Sequence, residues 1–373
     1  MDKITSWTCE PLPYDVARRI ERMASDDDVV RVAVMPDVHL AAEYCVGTVV
    51  ATKSRIFPHA IGGDIGCGML AIRANGDADL LDNQSGETLL AMLQRFVPTI
   101  RHSRDTVVDG LPATIQSRTL SNSRLEKMIK REGRFQLGTL GRGNHFLEFQ
   151  RDETGALWLM LHTGSRAMGQ AINAMHLPLA EKDGGLPFFR DDSDRGQNYL
   201  NDVAWAAHYA SANRRAILRV VEQILDTMFG VDFDDGTLVE TDHNHLRRES
   251  LGDTSVWVHR KGAQSAADGV PAIVPGSMGT FSYHVEGRGC ESAIHSSSHG
   301  AGRRLTRTAA RQQTTTREVR RQLRDVIFDR RMEHAMKEEA PSAYRDIRRV
   351  MKAQKELVKI TRKLTPILSY KGG

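Results

Sequence analysis

The spacing of apolar residues predicts helices and strands that alternate along the chain. Apolar positions three and four apart predict helices over residues 14–25, 86–96, 198–229 and 342–356. Short apolar, β-branched runs predict strands over residues 29–35, 46–51, 69–72 and 158–161. Residues 101–125 are polar and irregular, which predicts a surface excursion. The pattern therefore favours a mixed α/β fold, although periodicity alone leaves its topology open.

The composition is typical of a globular protein rather than a membrane or secreted one. Of 373 residues, 40% are hydrophobic and 26% are charged, and no run of about 18 apolar residues exists. The first residues lack a signal-peptide pattern, so we expect a cytoplasmic protein. The four cysteines are scattered without a Cys-x-x-Cys pair, which excludes a disulfide framework and a zinc ribbon.

Positive charge is concentrated in one stretch near the C-terminus. The whole chain has a formal net charge of +4, but residues 303–331 contain ten arginines against three acids. A solvated helix face is the ordinary explanation of such a run. A polyanionic partner such as RNA is the alternative, since arginine binds phosphate through two parallel hydrogen bonds.

A glycine-rich stretch at residues 62–68 sets a carboxylate and a thiol three residues apart. Its four glycines predict a tight turn rather than a helix, because an interior glycine costs about 1 kcal/mol relative to alanine. Asp64 and Cys67 offer one hard and one soft anionic ligand, which suits a divalent transition-metal ion. The alternative is a buried turn in which Cys67 only fills space.

Further ligand candidates follow strands or glycine loops elsewhere in the chain. They are His145, His162, His243 and His299. We expect at most one of His243 and His245 to reach the site. With Asp64 and Cys67 the set exceeds what one four-coordinate ion needs, so either two ions lie close together or one histidine does chemistry.

Other polar residues near these motifs are weaker candidates. Asp37 and His39 follow a predicted strand and are candidates for substrate contacts or for supporting the site, with a structural hydrogen-bonded pair as the alternative. Arg166, Arg260 and Lys261 are candidate contacts for phosphate. The motifs extend from residue 64 to residue 371, which favours one site built from the whole chain.

Taken together, these motifs resemble the RtcB family of RNA-splicing ligases. The resemblance covers nearly the whole chain and depends on eight blocks in order. They are GDIGCGM at 63–69, GTLGRGNHFLE at 138–148, HTGSR at 162–166, HN at 243–244, HRKGA at 259–263, PGSMGTFSY at 275–283, HGAGR at 299–303 and EEAP at 338–341. The resemblance extends from MPDVH at 35–39 to Lys371-Gly372. It implies a single compact domain over residues 1–373, with layered β-sheets around a central cleft and helices outside.

The resemblance also implies an activity, its cofactors and a set of site residues. The expected enzyme joins RNA 3′-phosphate or 2′,3′-cyclic phosphate ends to 5′-hydroxyl ends, using GTP and two Mn²⁺ ions. Asp64, Cys67 and His145 would hold one ion, and Cys67 would bridge to a second ion held with His162 and His243. His299 would be the nucleophile that accepts GMP. The expected guanylate contacts are Asn144, His145, Phe146, Leu147, Glu148, His243, Asn244, Pro275, Gly276, Ser277, Met278, Ser282, His299, Gly300, Ala301, Gly302 and Lys371.

Two other functions are compatible with the same residues. A metal-dependent phosphoesterase would use the ions on RNA ends without a covalent nucleotide, and an RNA-binding scaffold would retain only a vestigial site. The expected partners are GTP and broken tRNA or rRNA ends. We expect a monomer with no membrane attachment. The sequence leaves open whether the enzyme needs an activating helper protein.

Overall fold

The computed structural model describes residues 3–41 and 43–372. Its strands are β1 (Ile4–Ser6), β2 (Val29–His39), β3 (Val46–Thr52), β4 (Arg55–Ile56), β5 (Gly68–Asp77), β6 (Phe146–Asp152), β7 (Ala156–Thr163), β8 (Phe189–Arg190), β9 (Phe233–Asp242), β10 (Asn244–Leu251), β11 (Thr254–Lys261), β12 (Ala263–Ser265), β13 (Pro271–Val274), β14 (Ser282–Gly287), β15 (Ser296–Ser298) and β16 (Val358–Lys371). Its α-helices are α1 (Tyr14–Ala24), α2 (Asn83–Phe96), α3 (Ala113–Gln116), α4 (Ser123–Met128), α5 (Arg134–Gln136), α6 (Arg166–His176), α7 (Asp194–Phe229), α8 (Arg307–Gln313), α9 (Thr316–Gln322), α10 (Glu333–Met336) and α11 (Ile347–Ala353).

Two β-sheets form the framework of the molecule. The smaller sheet has the strand order β1-β2-β3-β11-β10, and the larger has the order β13-β14-β16-β6-β7-β5-β9. Neighbouring strands are antiparallel except for the parallel pair β1 and β2. Because many neighbours in each sheet are distant in sequence, the sheets bring motifs from both halves of the chain together.

Several helices lie outside these sheets and bury their apolar faces on them. Helices α2 and α7 cover one face of the larger sheet, where Leu89 and Ile217 pack against Leu70 and Leu159. Helix α1 packs against β2, and full burial of its Ile20 side chain contributes roughly 2 kcal/mol.

The long helix α7 has clear sequence signals at both of its ends. The Ser193 side chain accepts a hydrogen bond from the Gly196 backbone N–H, which caps the N-terminus. Gly230 ends the helix in the left-handed conformation, with φ at 64°. The apolar pattern predicted the helix over residues 198–229, and the capping serine explains why it begins four residues earlier.

Some predicted elements need correction. Residues 101–125 include α3 and the start of α4, and Leu111, Ile115, Leu120 and Leu125 are buried in a core formed with α6 and α7. The prediction of an irregular surface excursion is therefore wrong in part, because apolar residues spaced widely among polar ones still reach a core. The helix predicted over residues 342–356 is shorter, since a 3₁₀ turn (Pro341–Ala343) precedes α11.

The predicted mixed α/β fold, with one compact body and helices outside layered sheets, is confirmed. Its outer limits, residues 1–373, stay a prediction. Within the described residues, no helix is both long enough and apolar enough to span a membrane.

Candidate active site

A cleft of about 680 Å³ opens between the two sheets. The smaller sheet contributes His39, Asn244 and Lys261 to its walls, and the larger sheet contributes side chains from β5, β6, β7, β14 and β16. Two loops complete the wall, one at residues 275–278 and the other at residues 299–307. The cleft therefore collects most of the motifs that the sequence singled out.

The glycine turn places Asp64 and Cys67 at the floor of this cleft. Gly66 has φ at +73°, and a Cβ there would come within 2.8 Å of the Ala207 backbone in α7, so the turn needs glycine. Asn244 fixes the turn from the opposite strand: its backbone carbonyl accepts from the Gly66 N–H, and its side-chain amide donates to the Asp64 carbonyl.

Cys67 lies between two imidazole rings. Its Sγ is 3.4 Å from His145 Nε2 and 3.2 Å from His162 Nε2. The Asp64 carboxylate lies 3.0 Å from the same nitrogen of His145, and His243 Nε2 lies 3.2 Å from His162 Nε2. The five predicted metal ligands therefore form one contiguous cluster, in which Cys67 occupies the middle.

Backbone carbonyls fix the orientation of two of these rings. His145 Nδ1 lies 3.1 Å from the Leu140 carbonyl, and His162 Nδ1 lies 3.1 Å from the Asn144 carbonyl. A carbonyl can only accept, so each Nδ1 carries the proton and each Nε2 is left with a lone pair. Such outer contacts are typical of metal-binding histidines.

The ionisation of the cluster also suits a cation. Burial holds the pKa values of His162 and His243 well below their usual range, so both rings are neutral at pH 7. Burial and the Asp64 carboxylate raise the pKa of the Cys67 thiol well above its ordinary value. Neutral imidazoles, a carboxylate and a thiol that a cation would deprotonate form a donor set that fits a transition-metal ion.

His299 lies at the edge of this cluster. Its ring centroid is 4.6 Å from that of His243. Its Nδ1 lies 2.7 Å from Asp37 Oδ2, an atom of a fully buried side chain. Because the Nδ1–H donates a hydrogen bond to this carboxylate, the Nε2 lone pair is free for a nucleophilic role.

The surroundings of Asp37 hold it against His299. Arg345 donates to the backbone carbonyls of Asp37 and Val38. Gly302, with φ at +71°, packs so closely that a Cβ there would lie 2.5 Å from the Asp37 carbonyl oxygen. The sequence placed Asp37 near the site but could not show its partner, which lies 262 residues away.

Most of the predicted guanylate contacts line the same cleft. These are Asn144, Phe146, Glu148, His243, Asn244, Pro275, Gly276, Ser277, Met278, Ser282, His299, Gly300, Ala301, Gly302 and Lys371. His145 lies beside them in the ligand cluster. Leu147 is the exception, because its side chain is fully buried in the core beneath the larger sheet, as alternate residues of a strand face opposite sides. A guanylate contact through its backbone stays a prediction.

An ionised network closes one end of the cleft. Lys371 Nζ lies 2.7 Å from Glu339 Oε2, and Arg303 also contacts that carboxylate. The sequence shows Glu339 only as part of the EEAP block at 338–341, and no local signal indicates that it pairs with Lys371. Burial raises the pKa of nearby Glu148 to about 8, which the Gln150 hydrogen bond and the Lys371 charge offset only in part.

The three cations proposed as phosphate contacts differ in position. Arg260 is fully buried and bonded to Glu249 and Ser296, so its prediction as a phosphate contact is wrong. Lys261 lines the cleft, and burial lowers its pKa to about 8. Arg166 donates to Thr139 and to a backbone carbonyl, and so supports the loop that carries His145.

Comparison with known proteins gives the family. A family model described as tRNA-splicing ligase RtcB matches residues 19–372. The chain belongs to the RtcB family. It is 35% identical to RNA-splicing ligase RtcB1 and 34% identical to RNA-splicing ligase RtcB, from two strains of Escherichia coli, over 91% of this chain and 90% of each relative. It is 29% identical to tRNA-splicing ligase RtcB of Methanococcus maripaludis, over 91% of this chain and 88% of that one.

RtcB membership confirms the family that the motifs indicated. The motif blocks fall on the cleft walls, and the Cys67, His145 and His162 ligand atoms lie within 4.8 Å of one another. This cluster fits a metal-dependent RtcB ligase. The ion, the nucleotide and the RNA ends are the subject of the proposal that follows.

Proposed function

We propose that the chain is a GTP- and Mn²⁺-dependent RNA ligase that joins 3′-phosphate or 2′,3′-cyclic phosphate ends to 5′-hydroxyl ends. The observation that carries the proposal is the position of His299. Its ring contacts His243 of the ligand cluster, and Asp37 holds its Nδ1 at 2.7 Å. An oriented imidazole with a free nitrogen beside a metal cluster is the arrangement that nucleophilic attack on a nucleotide phosphate requires.

In the first step, His299 Nε2 attacks the α-phosphorus of GTP. The new P–N bond gives a histidine–GMP intermediate, and the P–O bond to pyrophosphate breaks. Two Mn²⁺ ions, one held by Asp64, Cys67 and His145 and the other by Cys67, His162 and His243, would stabilise charge that develops on the phosphate oxygens. Asp37 keeps the proton on Nδ1 and so keeps Nε2 nucleophilic.

In the following steps, the guanylate moves to RNA and leaves. A cyclic end is first opened by water to a 3′-phosphate. A 3′-phosphate oxygen then attacks the guanylate phosphorus, the P–N bond breaks and an RNA-(3′)pp(5′)G end forms. The 5′-hydroxyl oxygen of the second strand attacks the RNA 3′-phosphorus, and GMP departs as the phosphodiester forms.

The walls of the cleft support a guanine rather than an arbitrary base. Glu148 and Lys371 lie on neighbouring strands, β6 and β16, and both face the cleft. A carboxylate accepts the two N–H donors on the edge of guanine, whereas adenine offers no such pair. Ser282 and the loop at residues 275–278 add hydroxyl and backbone groups for the rest of the nucleotide.

Ligation of paired RNA oligonucleotides with every combination of end chemistry tests the proposal. We expect joined product only when a 3′-phosphate or cyclic phosphate meets a 5′-hydroxyl, and only with GTP and Mn²⁺. A phosphoesterase would remove the 3′-phosphate without joining, and a binding scaffold would leave both ends unchanged. Either result would overturn the proposal.

The proposed substrates are broken tRNA or rRNA ends in the cytoplasm, where a cysteine ligand stays reduced. We propose a monomer as the active form. Multiple-turnover ligation by the purified chain would show whether an activating helper protein is needed.

A further inference from the structure

A surface with exposed cationic and apolar side chains lies beside the cleft. We call it the exit surface, and it consists of Arg95, Phe96, Ile100, Arg101, Arg104 and Arg142. Phe96 is 41% exposed and Ile100 is 46% exposed, which is unusual for such large apolar side chains. None of the six takes part in the chemistry proposed above.

The exit surface is joined directly to the loop that carries the metal-site residues. The Leu140 N–H donates to the Pro98 carbonyl at 3.0 Å, and the Gly141 N–H donates to the Thr99 carbonyl at 2.9 Å. Arg142 follows Gly141, and Asn144, which lines the cleft, comes two residues later. A nucleic-acid strand that leaves the cleft over this loop would therefore reach the exit surface next.

The charges of the exit surface are free to meet a polyanion. Residues 95–104 contain three arginines and no acid. Within residues 3–41 and 43–372, neither these arginines nor Arg142 forms an ion pair. The arginine-rich segment at 303–331 differs, because six of its ten arginines pair with acids. Those six are Arg303, Arg307, Arg311, Arg320, Arg324 and Arg331.

Apolar and aromatic groups alternate with these charges. The Arg95 guanidinium lies 5.1 Å from the centroid of the Phe96 ring, and Arg101 lies 4.6 Å from that of Phe135. Cations interleaved with aromatic faces are typical of surfaces that bind single-stranded nucleic acid, where the cations contact phosphates and the rings stack on bases.

We propose that the exit surface binds the single-stranded part of the RNA that adjoins the end held in the cleft. The proposal rests on the proposed ligase function and extends it, because it assigns RNA contacts outside the nucleotide and metal sites. It also places the main single-stranded RNA contacts on this surface rather than along the arginine-rich segment at 303–331, for which the sequence offered RNA as the alternative to a solvated helix face. Substrates with long single-stranded ends should therefore bind more tightly than substrates with short ones.

Binding of fluorescent single-stranded RNA, measured by anisotropy from 50 to 200 mM KCl, tests the proposal. The probes are oligonucleotides of 4 and 16 nucleotides, each prepared with a 3′-phosphate or a 5′-hydroxyl end. The test variants are Arg101→Ser/Arg104→Ser and Phe96→Ala. The matched control is Arg320→Ser/Arg324→Ser, which removes two exposed arginines that already have acidic partners. Thermal melting shows that each variant is folded.

For the 16-nucleotide RNA, we expect the double arginine variant to reduce the slope of log affinity against log salt by about 1.4, since each phosphate contact to a single strand contributes about 0.7. We expect Phe96→Ala to weaken binding about tenfold with little change in slope. The 4-nucleotide RNA should bind all variants alike. Unchanged affinity and slope for the long RNA, or an equal loss in the control, would overturn the proposal and leave a protein partner as the alternative occupant.

Failure of the exit surface can be told apart from failure of the ligase mechanism. Covalent labelling of the wild-type chain by GTP reports the mechanism without RNA. If labelling is absent but the variants lose affinity for the long RNA, the proposed mechanism is wrong and RNA binding by the exit surface is supported. If labelling occurs but the variants bind RNA normally, or the wild type binds no RNA, the proposal that the exit surface binds RNA is wrong.

Discussion

The Asp37 carboxylate lies 2.7 Å from His299 Nδ1, although 262 residues separate them in the chain. Asp37 belongs to β2 of the smaller sheet, and His299 follows β15. The pairing resembles the way a buried carboxylate orients the histidine of other nucleophilic sites, where it fixes the tautomer and stabilises the charged ring. It therefore ties the proposed nucleophile to the framework of the fold.

Replacing Asp37 should slow the first chemical step. In Asp37→Asn the amide can donate to Nδ1, which would move the ring proton to Nε2 and remove its lone pair. We expect the rate of GMP transfer to the protein to fall by about 10² to 10⁴. The measurement is a single-turnover time course with labelled GTP. Asp27→Asn, at an exposed position, is the control, and an equal rate in both variants would contradict this role.

The middle position of Cys67 makes it the more sensitive of the two ligands in the glycine turn. Cys67 Sγ contacts the rings of both His145 and His162, whereas the Asp64 carboxylate contacts only the first of these two rings. We expect Cys67→Ala to lose more bound Mn²⁺ and more activity than Asp64→Ala. Metal analysis of the purified variants gives the stoichiometry. Equal or reversed losses would count against a thiolate that bridges two ions.

The local parts of this structure could be predicted from sequence, because they depend on neighbouring residues. The apolar spacing of α1, the run of β-branched residues in β2 and the glycines around Asp64 each act over a few positions. The set of ligand types, one thiol with several imidazoles, was also visible as chemistry.

Relationships between distant segments could not be predicted from the sequence. The pairing of Glu339 with Lys371 and the burial of Leu147 depend on which strands become neighbours, and no local pattern specifies that order. Arg260 illustrates the same limit, since a cation at a strand end can equally serve a buried ion pair. Strand β16 was missed because Pro366 and several charged residues interrupt its pattern.

Nucleotide affinity should depend on pH through Glu148. Because burial raises its pKa to about 8, its carboxyl is mostly protonated at pH 7 in the free protein. Guanine N–H donors need the carboxylate, so binding releases a proton, and GMP affinity should rise about tenfold per pH unit below pH 8 before it levels off. Calorimetry across pH 6–9 measures this. Glu148→Gln should bind weakly without the pH dependence, whereas exposed Glu87→Gln should behave like wild type.

The buried pair of Lys371 and Glu339 should make stability depend on acid. Burial alone would raise the pKa of Glu339, but Lys371, Tyr344 and Arg303 outweigh it and lower the value to about 2. The pKa of this carboxyl is thus lower in the folded protein than its unfolded value near 4.5. This difference stabilises the fold above that pH by about 3 kcal/mol. This contribution is lost as pH falls from 4.5 to 2.

Urea unfolding of Glu339→Gln checks that contribution. The difference in unfolding free energy from wild type should be full at pH 7 and shrink below pH 4.5. Glu10→Gln removes an exposed ion pair with Arg349 and should cost less than about 1 kcal/mol at any pH. A difference for Glu339→Gln that stays constant from pH 7 to pH 3 would refute the assignment.

The central claim is that His299 accepts a nucleotide, and mapping the labelled residue tests it most directly. The chain is incubated with Mn²⁺ and GTP labelled at the α-phosphate, denatured and digested, and the labelled peptide is sequenced. We expect acid-labile label on His299, none in His299→Ala, and wild-type labelling in His208→Ala, which changes an exposed histidine of α7. Label that persists in His299→Ala, label on Lys261 or Lys371 instead, or no label at all would contradict the account.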